Sequence, residues 1–131
     1  MSVCNNRWKT NMENQIFRGR EAEWRPLDEP GVTGIHIKTL MWDDEQKRSP
    51  TMLLKFDPGA RYPVHDHPDG EEIYVLEGDI RLGNDHLHAG DYLYTAPGNI
   101  HAVRTDGGCV VLLRAPEEVV IIQKREASSG D

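Results

Sequence analysis

The chain has only two cysteines, Cys4 and Cys109. They stand in an N-terminal stretch of polar residues and just before the apolar run Val110 to Leu113, so no disulfide framework is implied. Positive charge is also scarce, with 15 Lys and Arg against 22 Asp and Glu and a net charge of -7. That balance argues against a nucleic-acid or anionic-membrane partner, because both reward clustered basic residues. No segment approaches the roughly 20 apolar residues that span a bilayer. The first ten residues carry Asn5, Asn6, Arg7 and Lys9 rather than an apolar signal core, and a cytoplasmic protein is the expectation. Helical periodicity is missing too.

What is present is a series of short segments of β-branched, aromatic and aliphatic residues divided by Gly, Pro, Asp and Asn. This is the grammar of antiparallel strands. At 131 residues and 37% apolar content the chain suits one all-β domain over residues 16–124, between a polar tail or arm at 1–15 and a tail at 125–131. Strands are expected at 34–42, 51–56, 71–77, 79–82, 91–95, 101–105, 109–114 and 119–123. Residues 43–50 read as a solvated hairpin loop, Asp57-Pro58-Gly59 and Glu77-Gly78-Asp79 as tight turns, and Asp106-Gly107-Gly108 as a turn that tolerates positive φ. The strand from Glu71 is apolar on both parities, Ile73 and Val75 on one and Tyr74 and Leu76 on the other. Both faces then need cover, and a homodimer is one way to supply it.

Chemistry concentrates between Gly59 and His101. His65 and His67, two apart in extended chain, point the same way. Glu71 follows at the start of a strand, and Gly78 comes seven residues later. His101 is preceded by Pro97-Gly98-Asn99-Ile100 and reaches the same point only if its strand lies beside or across from the first, a closure that a barrel provides. Strand alternation allows only one of Glu71 and Glu72 to face inward. Glu71 shares parity with Ile73 and Val75, which would line the wall below the ligands. A cluster of three imidazoles and a carboxylate has few structural uses, and it fits one divalent metal ion per chain, Zn or Fe first, then Mn, Ni or Cu.

The intervals G-x5-H-x-H-x3-E-x6-G over 59–78, followed by the glycine three residues before His101, resemble the two motifs of the cupins. The run His67-Pro68-Asp69-Gly70-Glu71-Glu72-Ile73-Tyr74-Val75-Leu76-Glu77-Gly78 resembles, more narrowly, the ChrR-type cupins, which form the C-terminal half of a zinc anti-sigma factor. The likeness runs from about Trp24 to Val120. It implies a single cupin jelly-roll barrel with His65, His67, Glu71 and His101 as metal ligands. Ala96 departs from the pattern where a proline is usual, and Thr105 stands where asparagine is usual. Neither change removes a ligand. The anti-sigma activity needs an N-terminal module with its own Cys/His zinc cluster, whereas only Cys4 and no histidine precede the first expected strand. A free-standing cupin is expected, and similar ones include small metal dioxygenases such as acetylacetone dioxygenase.

Other polar residues carry weaker signals. His86 and His88 repeat the i, i+2 spacing but fall in or beside a hairpin with no glutamate following, which favours exposure. His36 could line the pocket. Tyr62, Tyr92, Tyr94, Arg104 and Arg114 could shape it too, and none is assigned to catalysis. The function expected is a dioxygenase-type metalloenzyme acting on a small organic molecule. The alternative is a non-catalytic zinc-binding sensor or regulatory module.

Overall fold

A computed structural model describes residues 14–43, 48–116 and 120–121. Its strands are β1 (Arg25–Pro26), β2 (Thr33–Asp43), β3 (Arg48–Asp66), β4 (Glu71–Leu82), β5 (Asp85–His88), β6 (Tyr92–Thr95), β7 (His101–Arg104), β8 (Cys109–Arg114) and β9 (Val120–Ile121). The single helical element among the described residues is one 3-10 turn at Gly19–Glu21. All strand pairs are antiparallel. No helix among the described residues is long and apolar enough to cross a membrane.

Two long strands organise the barrel. The first half of β3 pairs with β8 from Thr51 to Phe56, and its second half pairs with β7 from Arg61 to His65. β4 does the same, bonding β8 over Glu72 to Gly78 and β7 at Arg81 and Leu82. The cycle β3, β8, β4, β7 therefore closes on itself, as a barrel requires.

Both changes of partner fall where the sequence reads as a tight turn. Asp57-Pro58-Gly59 and Glu77-Gly78-Asp79 lie within continuous strands, and they bend the chain instead of reversing it. Gly78, with φ of 76°, occupies the second corner. A Cβ there would lie 2.1 Å from the Gly108 carbonyl oxygen, so only glycine lets the two strands cross so closely. Thr105 ties the same corner together: its hydroxyl donates to the Asp79 carbonyl at 2.7 Å and accepts from the Gly108 N–H at 2.9 Å.

The expected strands at 34–42, 91–95, 101–105 and 109–114 match to within a residue at each end. The segments at 51–56, 71–77 and 79–82 are parts of the longer β3 and β4. Arg48 to Pro50 belong to β3 rather than to a loop, and residues 44–47 lie outside the described residues. Of 119–123 only Val120 and Ile121 are described, and Cys4, residues 1–13 and residues 125–131 lie outside the described residues. β5 is a strand the sequence reading lacked: His86 and His88 lie on it beside the hairpin turn at Gly83 and Asn84, and Asp79 pairs directly with His88.

The interior is apolar. Ile35, Leu54, Phe56, Ile73, Val75, Ile80, Leu82, Val103 and Val111 are buried and pack as one cluster. On the opposite parity Tyr74, Leu76, Tyr92 and Tyr94 are exposed, and register places Tyr74 beside Tyr92 and Glu72 beside Tyr94.

Candidate metal centre

Strand β3 ends by delivering two imidazoles inward. His65 is opposite His101 of β7 in register, and His67 follows in a turn closed by the Gly70 N–H donating to the His67 carbonyl at 3.0 Å. Gly70 takes φ of 88°, and a Cβ there would meet the Tyr94 hydroxyl at 2.8 Å. The turn aims the chain straight into β4, whose first residue is Glu71. One ligand atom from each of His65, His67, Glu71 and His101 lies within 4.8 Å of the others. His65, His67 and Glu71 are buried, while His101 is half-buried.

The contacts orient the rings. His65 Nδ1 lies 2.7 Å from the Pro63 carbonyl, an atom that can only accept, so Nδ1 carries the proton and Nε2 keeps a free lone pair. His67 Nε2 lies 3.2 Å from Glu71 Oε1 and 3.3 Å from His101 Nε2. Its Nδ1 is buried without a hydrogen-bond partner.

Electrostatics follows from burial. Desolvation pushes His65 down to about 4 and His67 down to about 3, and it lowers His101 as well. Glu71 moves the other way, raised by burial to about 8. Without an ion the site is neutral: three uncharged rings and a carboxylic acid. Neutral imidazole is the form that ligates a metal, and the carboxylic acid loses its proton to do so.

Beside this cluster is a cavity of about 390 Å³. His65 and Glu71 form part of its wall, with Ile37, Met52, Leu54, Phe56, Ile73 and Val103 among the apolar remainder. Ile73 faces the cavity as its parity with Glu71 predicts, whereas Val75 is wholly packed in the core. Glu72 is outside, where it accepts a hydrogen bond from the Tyr92 hydroxyl at 2.9 Å.

The other singled-out residues divide clearly. His36 does not line the cavity: Ile35 and Ile37 take the inner side of β2, and His36 lies 4.0 Å from the partly exposed Asp57 carboxylate. Tyr92, Tyr94, Arg104 and Arg114 are exposed. His86 and His88 are exposed, their rings tilted at 45° with centroids 4.4 Å apart, and His86 Nε2 lies 2.7 Å from Asp79 Oδ2. Tyr62 does line the cavity, with its ring edge-on to His65 at 4.7 Å between centroids. Its hydroxyl donates to Glu29 Oε1 at 2.6 Å. Burial and that carboxylate raise the phenol well above its ordinary range. Glu29 has no signal in sequence, because Asp28-Glu29-Pro30-Gly31 reads as an ordinary turn.

Comparison with known structures places this architecture. An acetylacetone dioxygenase from Acinetobacter johnsonii superposes with a TM-score of 0.72 at 15% identity, over 86% of this chain and 78% of that one. The polyketide cyclase RemF from Streptomyces resistomycificus gives 0.71 at 23% identity, over 86% and 87%. The Rhodobacter sphaeroides SigE complex with the anti-sigma ChrR gives 0.62 at 24% identity, over 75% of this chain and 50% of that one. At these identities the likeness is one of fold, a cupin jelly roll. No curated protein matches the sequence. The model of the ChrR Cupin-like domain matches residues 12–117, and the chain belongs to that family.

Proposed function

We propose that the protein binds one divalent metal ion through His65, His67, Glu71 and His101 and acts as a dioxygenase-type enzyme on a small organic molecule. The observation that carries this reading is the placement of four donor atoms, within 4.8 Å of one another, in and beside the wall of an apolar cavity of about 390 Å³. The residues fit an ion. Three neutral nitrogens and one carboxylate suit Zn, Fe, Mn, Ni or Cu, and Pro63 fixes the tautomer of His65. A six-coordinate ion held by these four residues would have two positions left for other ligands, and it would supply Lewis acidity or one-electron chemistry. The likeness to an acetylacetone dioxygenase supports the oxygenase choice.

The test is metal analysis of untagged protein, followed by anaerobic Fe(II) reconstitution and O2-uptake assays with β-dicarbonyl and catechol-like compounds. The expected result is one ion per chain and uptake with at least one compound class. No uptake with any metal overturns the oxygenase reading.

Family membership favours a second reading, a zinc-binding regulatory module like the cupin half of ChrR. In that case the ion stabilises the barrel and its removal alters a partner interaction. Chelation that leaves the melting temperature unchanged excludes this version. The exposed Tyr74, Leu76, Tyr92 and Tyr94 face supports a homodimer, with sedimentation as its check.

A further inference from the structure

The metal reading leaves one polar pair of the cavity without a role. Apart from His65 and Glu71, the carboxylate of Glu29 and the phenol of Tyr62 are the acid and hydroxyl groups in a wall otherwise built from apolar side chains, prolines and Trp42. A phenylalanine at 62 would fill the same volume with no partner to satisfy, so the pair costs desolvation that packing alone does not require.

Its geometry is rigid. Glu29 opens the turn Glu29-Pro30-Gly31-Val32, closed by the Val32 N–H donating to the Glu29 carbonyl at 3.1 Å. Proline followed by a glycine with φ of 80° is the pattern of a type II turn. That turn rests on the strand carrying the ligands, since a Cβ on Gly31 would lie 3.3 Å from Pro63 Cγ. Pro63 also holds His65 by its carbonyl, and Tyr62 touches the same ring. The Glu29 carboxylate is thus fixed relative to the metal centre by a turn, a phenol and a proline. One of its oxygens accepts the hydrogen bond from the Tyr62 hydroxyl, and a carboxylate has room for further donors.

We infer that Glu29 is a ligand-binding group, positioned by Tyr62, and that the cavity takes a small and mainly apolar molecule bearing an O–H or N–H donor for that carboxylate. The inference rests on the cavity being the binding site of the proposed enzyme. It adds the polar handle by which that site would tell one apolar molecule from another.

The probes are benzyl alcohol, benzylamine and benzyl methyl ether, titrated into the full chain and followed by chemical-shift changes, with metal content measured on the same samples. Wild type is expected to bind a donor-bearing probe at least about fivefold tighter than the ether, as befits one hydrogen bond to a charged acceptor. Preference for the alcohol identifies a hydroxyl ligand, and preference for the amine identifies a cationic one. Glu29→Leu should bring the ratio to within about twofold, and Tyr62→Phe should reduce it, both at unchanged metal content. Should Glu29→Leu not fold, Glu29→Gln takes its place with a reduced ratio expected. A wild type that does not distinguish the ether, or a ratio unmoved by the Glu29 variants, overturns the inference. Discrimination by a chain that holds no metal would instead leave Glu29 standing and remove the metal reading.

Discussion

His65 donates its Nδ1 proton to the carbonyl of Pro63, two residues back and 2.7 Å away. The bond lies within the same strand, so the ring is oriented before any ion arrives and its Nε2 lone pair is committed to the cluster. His67, in the turn that follows, and Glu71, at the start of β4, face the same point.

The first prediction uses the two adjacent glutamates. Glu71→Gln should weaken metal binding by at least about a hundredfold, the scale expected when a ligand and not merely its support is lost. Glu72→Gln should bind metal as wild type does, because Glu72 is on the outer face with Tyr92 and Arg114. Competition titration against a chromogenic chelator measures both.

The second concerns pH and the metal-free chain. His65 and His67 have folded values of about 4 and about 3 against an ordinary 6.5. As pH falls below 6.5 the unfolded chain takes up protons that the folded chain refuses, and stability drops. Glu71 has a folded value of about 8 against 4.5. Its contribution is full below 4.5 and is lost as pH rises through 8. The two trends cross, so melting temperature of the chelated protein should peak near pH 6.5. With metal bound and Glu71 ionised, the decline on the alkaline side should vanish.

A third follows from the same carboxyl group. At pH 7 the metal-free site holds the Glu71 proton and neutral histidines, so loading one ion should release close to one proton. Calorimetry in buffers of different ionisation enthalpy gives that number directly, and a value near zero would mean that Glu71 does not give up a proton to the ion.

The fourth tests the corner where β4 changes partner. Gly78→Ala should destabilise the fold by about 2 kcal/mol or more, since the new methyl group collides with the Gly108 carbonyl at a positive φ. Thr105→Val should cost about 1–3 kcal/mol by orphaning the Asp79 carbonyl and the Gly108 N–H. Thr105 occupies the place of the expected asparagine, and its hydroxyl joins the Asp79 and Gly108 backbone groups of this corner. Urea denaturation compares both variants with wild type.

Three of the candidate donors, His65, His67 and Glu71, are legible because their spacing is local, whereas His101 meets them only through strand pairing. His65 and His67 need only the two-residue repeat of extended chain, and parity with Ile73 separates Glu71 from Glu72. Parity fails across a bulge. Register slips between Tyr62 and His65, so both face inward although an odd number of positions separates them, and counting back from His65 would turn Tyr62 outward. The slip between Val75 and Glu77 likewise puts Val75 and Ile80 on the same interior. The strand corners read as turns in sequence for a related reason: glycine and proline serve a bend and a reversal equally well, and only the partner strands distinguish them. Glu29 was illegible because its role comes from a residue 33 positions away.

The pairing of His65 with His101 in β3 and β7 also has a kinetic side. It joins segments far apart in the chain, and β7 must dock on both β3 and β4 before all four donors meet. Local structure cannot assemble the cluster early, because the loop-closure entropy between those strands must first be overcome. If the four groups hold an ion as proposed, its capture would report completed folding, and the rate of high-affinity uptake by refolding protein should follow barrel closure rather than encounter with the metal.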